Sequence, residues 1–319
     1  MNTAKVASVG EALTVLVPEV PGALESCETF VRSIGGAELN VAVGLSTRGV
    51  PAALLTRVGD DGFGRHVVDE LTRHGVDVSA VEVDPARSTG LYVKEVGGAS
   101  EHPFDLGRAT SRMHYYRQGS AGSALSPSYL ERPEVRAVVD GAVLVHLTGI
   151  TAALSDSARD LCLALVAEPR GERLLSFDLN WRPRLWAGRE AEGVRLLGDL
   201  ARAADVVLLG AEEARTVFSS DDPDELRAIL PEPRVIVLKD DENAATAFDG
   251  EVRYDVPALR VDVVEAIGAG DAFAAGFLGA LVSGRGVREA VQEAHGLAVI
   301  ALASHGDHVG PADGAPRAP

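Results

Sequence analysis

The chain has 319 residues, of which 46% are hydrophobic and 24% are charged, a composition typical of an ordered globular protein. Its formal net charge of −17 excludes the basic surface that binding to a nucleic acid or an anionic membrane requires. Because Cys27 and Cys162 are the only cysteines, a disulfide framework and a cysteine-rich zinc site are excluded.

Residues 1–17 lack the charged-then-apolar layout of a signal peptide, and no apolar run reaches the roughly 18 residues of a membrane span. We therefore expect a cytoplasmic protein. Strands are predicted at 5–10, 12–17, 29–34, 53–58 and 89–96, and helices at 37–48 and 62–74.

The alternating stretches near 12–34 and 89–118 are typical of half-exposed strands, so we expect them to form one small sheet. Within the second stretch, residues 112–117 include two Tyr and two Arg. That combination indicates either a binding surface or a half-buried edge strand. Gly35 and Gly36 precede the first helix, where they either allow a ligand to approach the backbone or form an ordinary strand-to-helix turn.

From residue 142 onward strands and helices alternate. Strands are predicted at 142–147, 174–178, 206–209, 235–239 and 245–248, with helices at 155–167, 189–203, 211–218 and 224–229. Their continuous apolar runs predict an α/β fold with a doubly wound, mostly parallel sheet. Ligands of such sheets bind at the carboxyl ends of the strands, where residues 148–149, 178–182 and Lys239 lie. The Pro-, Gly- and Ala-rich segment 311–319 is predicted to be disordered.

The most informative stretch is 263–279, where Gly268, Ala269 and Gly270 form a turn before a helix. The free amides and the dipole of a helix start make a pocket for an anion such as phosphate. Asp271, in the first helical turn, is either a helix cap or a base that takes a proton from a hydroxyl attacking that phosphate. If Asp271 is a base beside a helix N-terminus, its pKa should be low and the side chain should be ionised at neutral pH.

Motifs of several other enzyme classes are absent. The sequence has no GxxxxGK[ST], no HExxH and no GxSxG, and the turn at 268–270 lacks the third glycine of a dinucleotide fingerprint. A metal ion is expected only as Mg²⁺ carried in by a nucleotide.

Two separated motifs, GGAELNVAVGLSTRG at 35–49 and VVEAIGAGDAFAAGFL at 263–278, resemble those of the ribokinase-like (PfkB) carbohydrate kinases. The likeness extends over nearly the whole chain. Within that family, the segments at 115–127, 147–155 and 176–186 are most similar to the 2-keto-3-deoxygluconate kinases.

This resemblance implies a single Rossmann-like domain over residues 1–310, with a small β-sheet lid inserted from about 12–34 and 89–118. The lid is expected to close over the sugar and to help form a homodimer or a higher homo-oligomer. ATP, Mg²⁺ and a sugar or sugar acid are the expected ligands.

Carried over by position, Asp271 is the base, and the amides of Gly268, Ala269 and Gly270 hold the γ-phosphate. The residues expected at the sugar are Gly35, Gly36, Asn40, Tyr92, Tyr115, Arg117, Arg182 and Asp307. The residues expected at the nucleotide are Asn180, Arg182, Lys239, Gly268, Gly270 and His295, and Glu213 is expected at Mg²⁺. The Asp307 match is also compatible with common Gly-Asp turn chemistry.

The sequence departs from the family pattern at several positions. Ala266 lacks a hydroxyl that would help bind a monovalent cation such as K⁺, and Gly210 replaces the Asn of a Mg²⁺ motif that retains Glu213. The acidic run 240–242 stands where glycine is usual, so it must point to solvent or help hold Mg²⁺. His295 takes the approximate place of an Asn near the adenine.

The sequence therefore predicts an ATP-dependent sugar kinase that phosphorylates the 6-hydroxyl of 2-keto-3-deoxygluconate. Arg117 and Arg182 have the fork geometry that suits a sugar-acid carboxylate. A fructokinase or another PfkB sugar or sugar-acid kinase is the alternative within the class. A non-catalytic sugar-binding relative is the alternative from another class, and the retained Asp271 argues against it.

Overall fold

The computed structural model describes residues 5–99, 102–107, 110–240 and 243–304. Along the chain the strands are β1 Val6–Val9, β2 Leu13–Pro18, β3 Phe30–Gly35, β4 Ala52–Leu55, β5 Arg57–Gly59, β6 Glu82–Asp84, β7 Leu91–Val96, β8 Ser111–Tyr116, β9 Leu144–Thr148, β10 Leu174–Asp178, β11 Val206–Gly210, β12 Val235–Asp240, β13 Ala244–Asp249 and β14 Val252–Pro257. The helices are α1 Ala37–Thr47, α2 Gly62–Arg73, α3 Pro133–Gly141, α4 Gly149–Leu154, α5 Asp156–Ala167, α6 Glu190–Ala203, α7 Ala211–Phe218, α8 Pro223–Ile229, α9 Ala269–Val282 and α10 Val287–Leu302.

The central sheet has the strand order β14-β13-β12-β11-β10-β9-β1-β4. Its strands from β12 to β4 are parallel, whereas β13 and β14 add an antiparallel edge. Side chains alternate between two apolar layers, so that Val235 and Val237 of β12 join one layer and Ile236 and Leu238 the other. Helices α3 to α8 cover the face that carries Ile236 and Leu238, and α1, α2, α9 and α10 cover the face that carries Val235 and Val237. The predicted doubly wound, mostly parallel α/β fold is confirmed.

A second, small sheet has the order β3-β2-β7-β8. Strand β2 pairs antiparallel with β3 and parallel with β7, and β7 pairs antiparallel with β8. Two stretches that are distant in the sequence therefore build one sheet. We refer to these four strands as the small sheet.

Several elements differ from the sequence prediction. The strand expected at 53–58 breaks at Thr56 into β4 and β5, and β5 leaves the central sheet to pair with β6. Helix α4 was not predicted, and it starts directly after β9 because the Thr148 side chain caps it by accepting from Ile150 N. The segment 311–319 lies outside the described residues. None of the described helices is long and apolar enough to cross a bilayer.

Candidate active site

Helix α9 begins at the carboxyl side of the Gly268 turn, and its start faces α1. Gly268 is the N-cap residue and has φ 79°, a left-handed conformation that glycine adopts without steric cost. A Cβ atom on Gly44 of α1 would lie 2.7 Å from Cβ of Ala275, so glycine is required for the close packing of α1 on α9. Asn40 and Asp271 each lie one helical turn before this contact, and Asn40 Nδ2 donates to Asp271 Oδ2 at 2.8 Å. Asp271 is therefore tied to α1 rather than capping its own helix.

The Asp271 carboxyl is surrounded by protein atoms, although its side chain is partly exposed. Burial raises the pKa of Asp271 to about 7, and the Asn40 hydrogen bond and the Arg182 charge only partly oppose this. Asp178 and Glu38 add to the increase by charge repulsion. The expectation of a low pKa was wrong, because desolvation outweighs the Asn40 hydrogen bond and the Arg182 charge. A group with this pKa is suited to accepting a proton near neutral pH.

Lys239 lies at the end of β12, beneath the start of α9. Its Nζ is 3.1 Å from Oδ2 of Asp178 at the end of β10, and 3.9 Å from where a Cβ on Gly270 would lie. Burial lowers the pKa of Lys239, but the carboxylates of Asp178 and Glu213 outweigh it and the net shift is upward. The ammonium is therefore charged, next to the amides of the turn.

Glu213 lies on the first turn of α7, close to the same cluster. Its Oε2 accepts from the Gly210 amide at 2.9 Å, and its Oε1 lies 3.6 Å from the Arg182 guanidinium. Burial and the nearby Asp178 raise the pKa of Glu213. The Arg182 side chain is 51% exposed, so it reaches into solvent above the carboxylates.

The other predicted nucleotide residues are buried. Asn180 adopts φ 41°, and its Oδ1 has no hydrogen-bond partner within the described part of the chain. His295 packs edge-on against Phe273 with ring centroids 5.4 Å apart, and burial lowers its pKa. Asp240 is exposed and points to solvent, which is one of the two arrangements expected for the acidic run 240–242. Residues 241–242 lie outside the described residues.

The small sheet contributes an aromatic and basic cluster. The rings of Tyr92 and Tyr115 lie 5.2 Å apart, and the Arg117 guanidinium lies 4.3 Å above the Tyr115 ring. Arg117 also donates to Glu11 Oε2 at 2.9 Å, and Glu11 is buried between β1 and β2. Ser120 donates to the other Glu11 oxygen at 3.1 Å. Arg117 is thus already paired with a buried carboxyl group, whose pKa is raised by burial.

The glycine pair before α1 is packed against the protein's own residues. A Cβ on Gly35 would lie 2.7 Å from the Tyr92 hydroxyl, and one on Gly36 would lie 2.3 Å from the Glu11 carbonyl oxygen. Gly36 also has φ 137°, where only glycine is unstrained. The Gly36 carbonyl accepts from Asn40 N at 2.8 Å, so this turn and the Asp271 partner are one continuous structure. Asp307 lies outside the described residues.

Three acidic or basic residues that matter to this geometry were not predicted, namely Glu11, Glu38 and Lys94, and Asp178 was placed at a ligand-binding strand end without a role of its own. The Glu38 Oε1 accepts from Thr148 and Thr151, each at 2.7 Å, and the residue is fully buried. An acid at the carboxyl end of a buried parallel strand was a usable signal for Asp178. The others follow only from contacts between distant parts of the chain.

These features coincide with a known family. A model of the pfkB family carbohydrate kinases matches residues 3–312. The chain belongs to the pfkB family and is a carbohydrate kinase.

Three similar proteins illustrate the relationship. The 2-dehydro-3-deoxygluconokinase of Thermoproteus tenax is 34% identical over 303 residues, which cover 94% of this chain and 89% of that protein. A probable fructokinase-7 of Arabidopsis thaliana is 30% identical, covering 86% and 78%. An uncharacterized sugar kinase from Pyrococcus horikoshii, solved in complex with ATP, superposes with a TM-score of 0.79 at 26% identity, covering 95% and 93%.

Proposed function

We propose that this protein transfers the γ-phosphate of ATP to the 6-hydroxyl of 2-keto-3-deoxygluconate, also called 2-dehydro-3-deoxygluconate. The observation that carries the proposal is the Asn40–Asp271 hydrogen bond at the start of α9, which holds a carboxylate of pKa about 7 beside the Gly268 turn. The similarity to the Thermoproteus tenax kinase supports the choice of sugar.

In the proposed reaction the Asp271 carboxylate takes the proton of the sugar hydroxyl as its oxygen attacks the γ-phosphorus. The bond from that phosphorus to the bridging oxygen of ADP breaks, and ADP leaves with the electron pair. Asn40 orients the carboxylate without competing for the proton, since an amide does not titrate in this range. Phosphoryl transfer depends mainly on positioning and on stabilisation of charge.

The charge on the phosphate is matched by groups around the Gly268 turn. The amides of Gly268, Ala269 and Gly270 would hold the transferring group, with the Lys239 ammonium beneath them. Arg182 would meet the phosphates or the sugar carboxylate from the solvent side.

Mg²⁺ would enter with the nucleotide and offset the charge of its phosphates. Both oxygens of Glu213 already face a partner, Gly210 N and Arg182, so this carboxylate suits a water-mediated contact with the ion. Mg²⁺ commonly keeps several waters and binds mainly through substrate phosphates, so the residues present fit it. Asn180 and His295 remain the proposed contacts to the rest of the nucleotide.

The small sheet would act as the lid over the sugar. Gly35, Gly36, Tyr92, Tyr115 and Arg117 would line the sugar site. Closing such a lid excludes water, which would otherwise hydrolyse ATP. We retain the homo-oligomer through the small sheet as a proposal, since its two edge strands expose apolar side chains, Phe30 and Val31 on β3 and Tyr116 on β8.

A fructokinase is the second candidate, and one observation favours it. The Arg117–Glu11 pair lowers the net positive charge available to a substrate carboxylate. The similarity to the Arabidopsis thaliana protein points the same way.

A coupled ADP-release assay with 2-keto-3-deoxygluconate, fructose and ribose tests the proposal. We expect the highest kcat/KM for 2-keto-3-deoxygluconate. A higher kcat/KM for fructose would show that fructose, and not 2-keto-3-deoxygluconate, is the substrate. An absence of sugar-dependent ATP turnover on a broad sugar panel would favour the non-catalytic alternative. Cell fractionation tests the cytoplasmic expectation.

A further inference from the structure

Lys94 and Glu265 form an ion pair between the small sheet and the loop that leads into α9. The Lys94 side chain is 1% exposed and that of Glu265 is 8% exposed, so the charges meet away from solvent. The ammonium contacts Oε2 of the carboxylate, and Ser111 of β8 donates to Oε1 at 3.2 Å. Two strands of the small sheet therefore bind one carboxylate of the loop.

Lys94 lies on the face of the small sheet that carries the aromatic pair. Residues two apart on a strand share a face, so Lys94 follows Tyr92 about 7 Å further along β7. The antiparallel register sets Tyr92 opposite Tyr115 and Val96 opposite Ser111. The proposed sugar contacts and the Glu265 contacts thus occupy neighbouring rows of a single face.

On its other side the loop is attached to the rigid part of the molecule. The amides of Val264 and Glu265 both donate to the Leu302 carbonyl at the end of α10, at 2.8 and 3.2 Å. Only Ala266 and Ile267 separate Glu265 from Gly268. A very short segment therefore joins Glu265 to the turn.

We propose that Glu265 couples closure of the small sheet over the sugar to ordering of the phosphate-binding turn, with Lys94 and Ser111 as positioning residues. In the closed arrangement the ammonium and the hydroxyl hold the carboxylate and so fix the turn. On opening, both charges return to water and the turn loses this support. Sugar and nucleotide then bind cooperatively, because each favours the closed arrangement. The inference rests on the carbohydrate kinase class and not on the identity of the sugar.

The first test uses the protein without ligands. Hydrogen exchange of peptides covering 263–271 is compared between the wild type, Lys94→Met and Glu265→Gln. Glu95→Gln is the matched control, because Glu95 is the next residue on β7 and its carboxylate pairs with His114 at 2.8 Å within the small sheet. We expect the loop to exchange at least about fivefold faster in both variants and unchanged in the control. Equal exchange in all four proteins overturns the proposal.

The second test measures cooperativity by calorimetry. The affinity for the non-hydrolysable ATP analogue AMP-PNP is determined with and without saturating 2-keto-3-deoxygluconate, or with the sugar that the turnover panel selects. In the wild type we expect the sugar to raise the affinity for AMP-PNP by a factor in the usual range of about 5- to 150-fold. This factor should be close to unity in Lys94→Met and Glu265→Gln, and Lys94→Arg should retain it. Unchanged enhancement in the variants contradicts the proposal.

A double variant guards against simple unfolding. Lys94→Met with Glu265→Gln removes both charges and leaves no unpaired ion in the interior. If the two residues act through their contact, hydrogen exchange of residues 263–271 is no faster in the double variant than in either single variant. Additive increases in the exchange rate would show that they act independently. If no sugar is turned over, the proposed function fails, and the exchange measurement alone decides this inference.

Discussion

The amide of Asn40 donates to the carboxylate of Asp271 at 2.8 Å, although 231 positions separate them in the chain. The contact exists because Gly44 allows α1 to pack directly against Ala275 of α9. A feature of the apolar core thereby sets the orientation of the proposed base. An amide donor also keeps one carboxylate oxygen occupied and leaves the other for the substrate hydroxyl.

Replacement of the proposed base should abolish most activity without unfolding the protein. For Asp271→Asn we expect kcat to fall by roughly 10²- to 10⁴-fold or more, because the amide cannot accept the proton. Steady-state kinetics and circular dichroism provide the measurement. A near-normal rate in this variant would remove Asp271 from the mechanism.

The pH dependence of kcat/KM should report the titration of Asp271 in the free enzyme. Burial raises the pKa of Asp271 to about 7. Asp271 is therefore fully ionised and active well above pH 7, and this form is lost as the pH falls through 7. We expect kcat/KM to drop about tenfold per pH unit below that midpoint. The range from pH 5 to pH 8 extends about one unit or more on either side of this pKa. A kcat/KM that stays constant over that range would contradict the assignment of Asp271 as the base.

The role of Arg117 can be separated from its structural contact with Glu11. Arg117→Ala alone would leave Glu11 buried without its cationic partner, so we pair it with Glu11→Gln. If Arg117 binds a carboxylate, the double variant should lose at least about tenfold more kcat/KM on 2-keto-3-deoxygluconate than on fructose. The single variant Glu11→Gln is the control and should retain the preference. Equal losses on both sugars would show that the carboxylate assignment is wrong.

Lys239 should matter more to the nucleotide than to the sugar. In Lys239→Met the positive charge near Gly270 is lost, and we expect kcat/KM for ATP to fall at least about tenfold. Sugar affinity measured by calorimetry in the absence of nucleotide should change little. Asp178→Asn keeps the ammonium and should have the smaller effect on ATP. The opposite ranking of these two variants would argue against a phosphate role for Lys239.

The requirement for a monovalent cation should be weak. Ala266 provides no hydroxyl ligand, and the Glu265 carboxylate already pairs with the Lys94 ammonium. We expect kcat in Na⁺ or choline to stay within about twofold of its value in K⁺, since the charge that a bound ion would add is already present. The measurement is turnover at constant ionic strength. Strong and selective activation by K⁺ would show that the loop binds the ion despite this pair.

Much of the fold could be predicted from local patterns. Strands such as β11 and β12 are buried on both faces and therefore appear as continuous apolar runs, which predict a parallel sheet. The short elements were harder, because β6 spans only Glu82–Asp84 and α4 only Gly149–Leu154. Elements of this length carry too little periodicity to be recognised.

The candidate site likewise contains residues that local sequence patterns reveal and residues that only tertiary contacts reveal. The Gly268 turn and Asp271 are visible in the sequence, because a helix start and its first-turn carboxylate are local features. Arg117 was predicted to bind the substrate, whereas the buried Glu11 that it pairs with was not singled out. Nothing in the residues around either one indicates that they meet.

The sequence by itself determined the α/β architecture and the position of the Gly268 turn, with Asp271 in the first turn of the helix that follows, because both depend on neighbours along the chain. The tertiary structure alone decided that burial raises the pKa of Asp271, that Glu11 pairs with Arg117 and that Lys94 binds the loop through Glu265. These properties depend on desolvation and on distances between charges that only folding brings together.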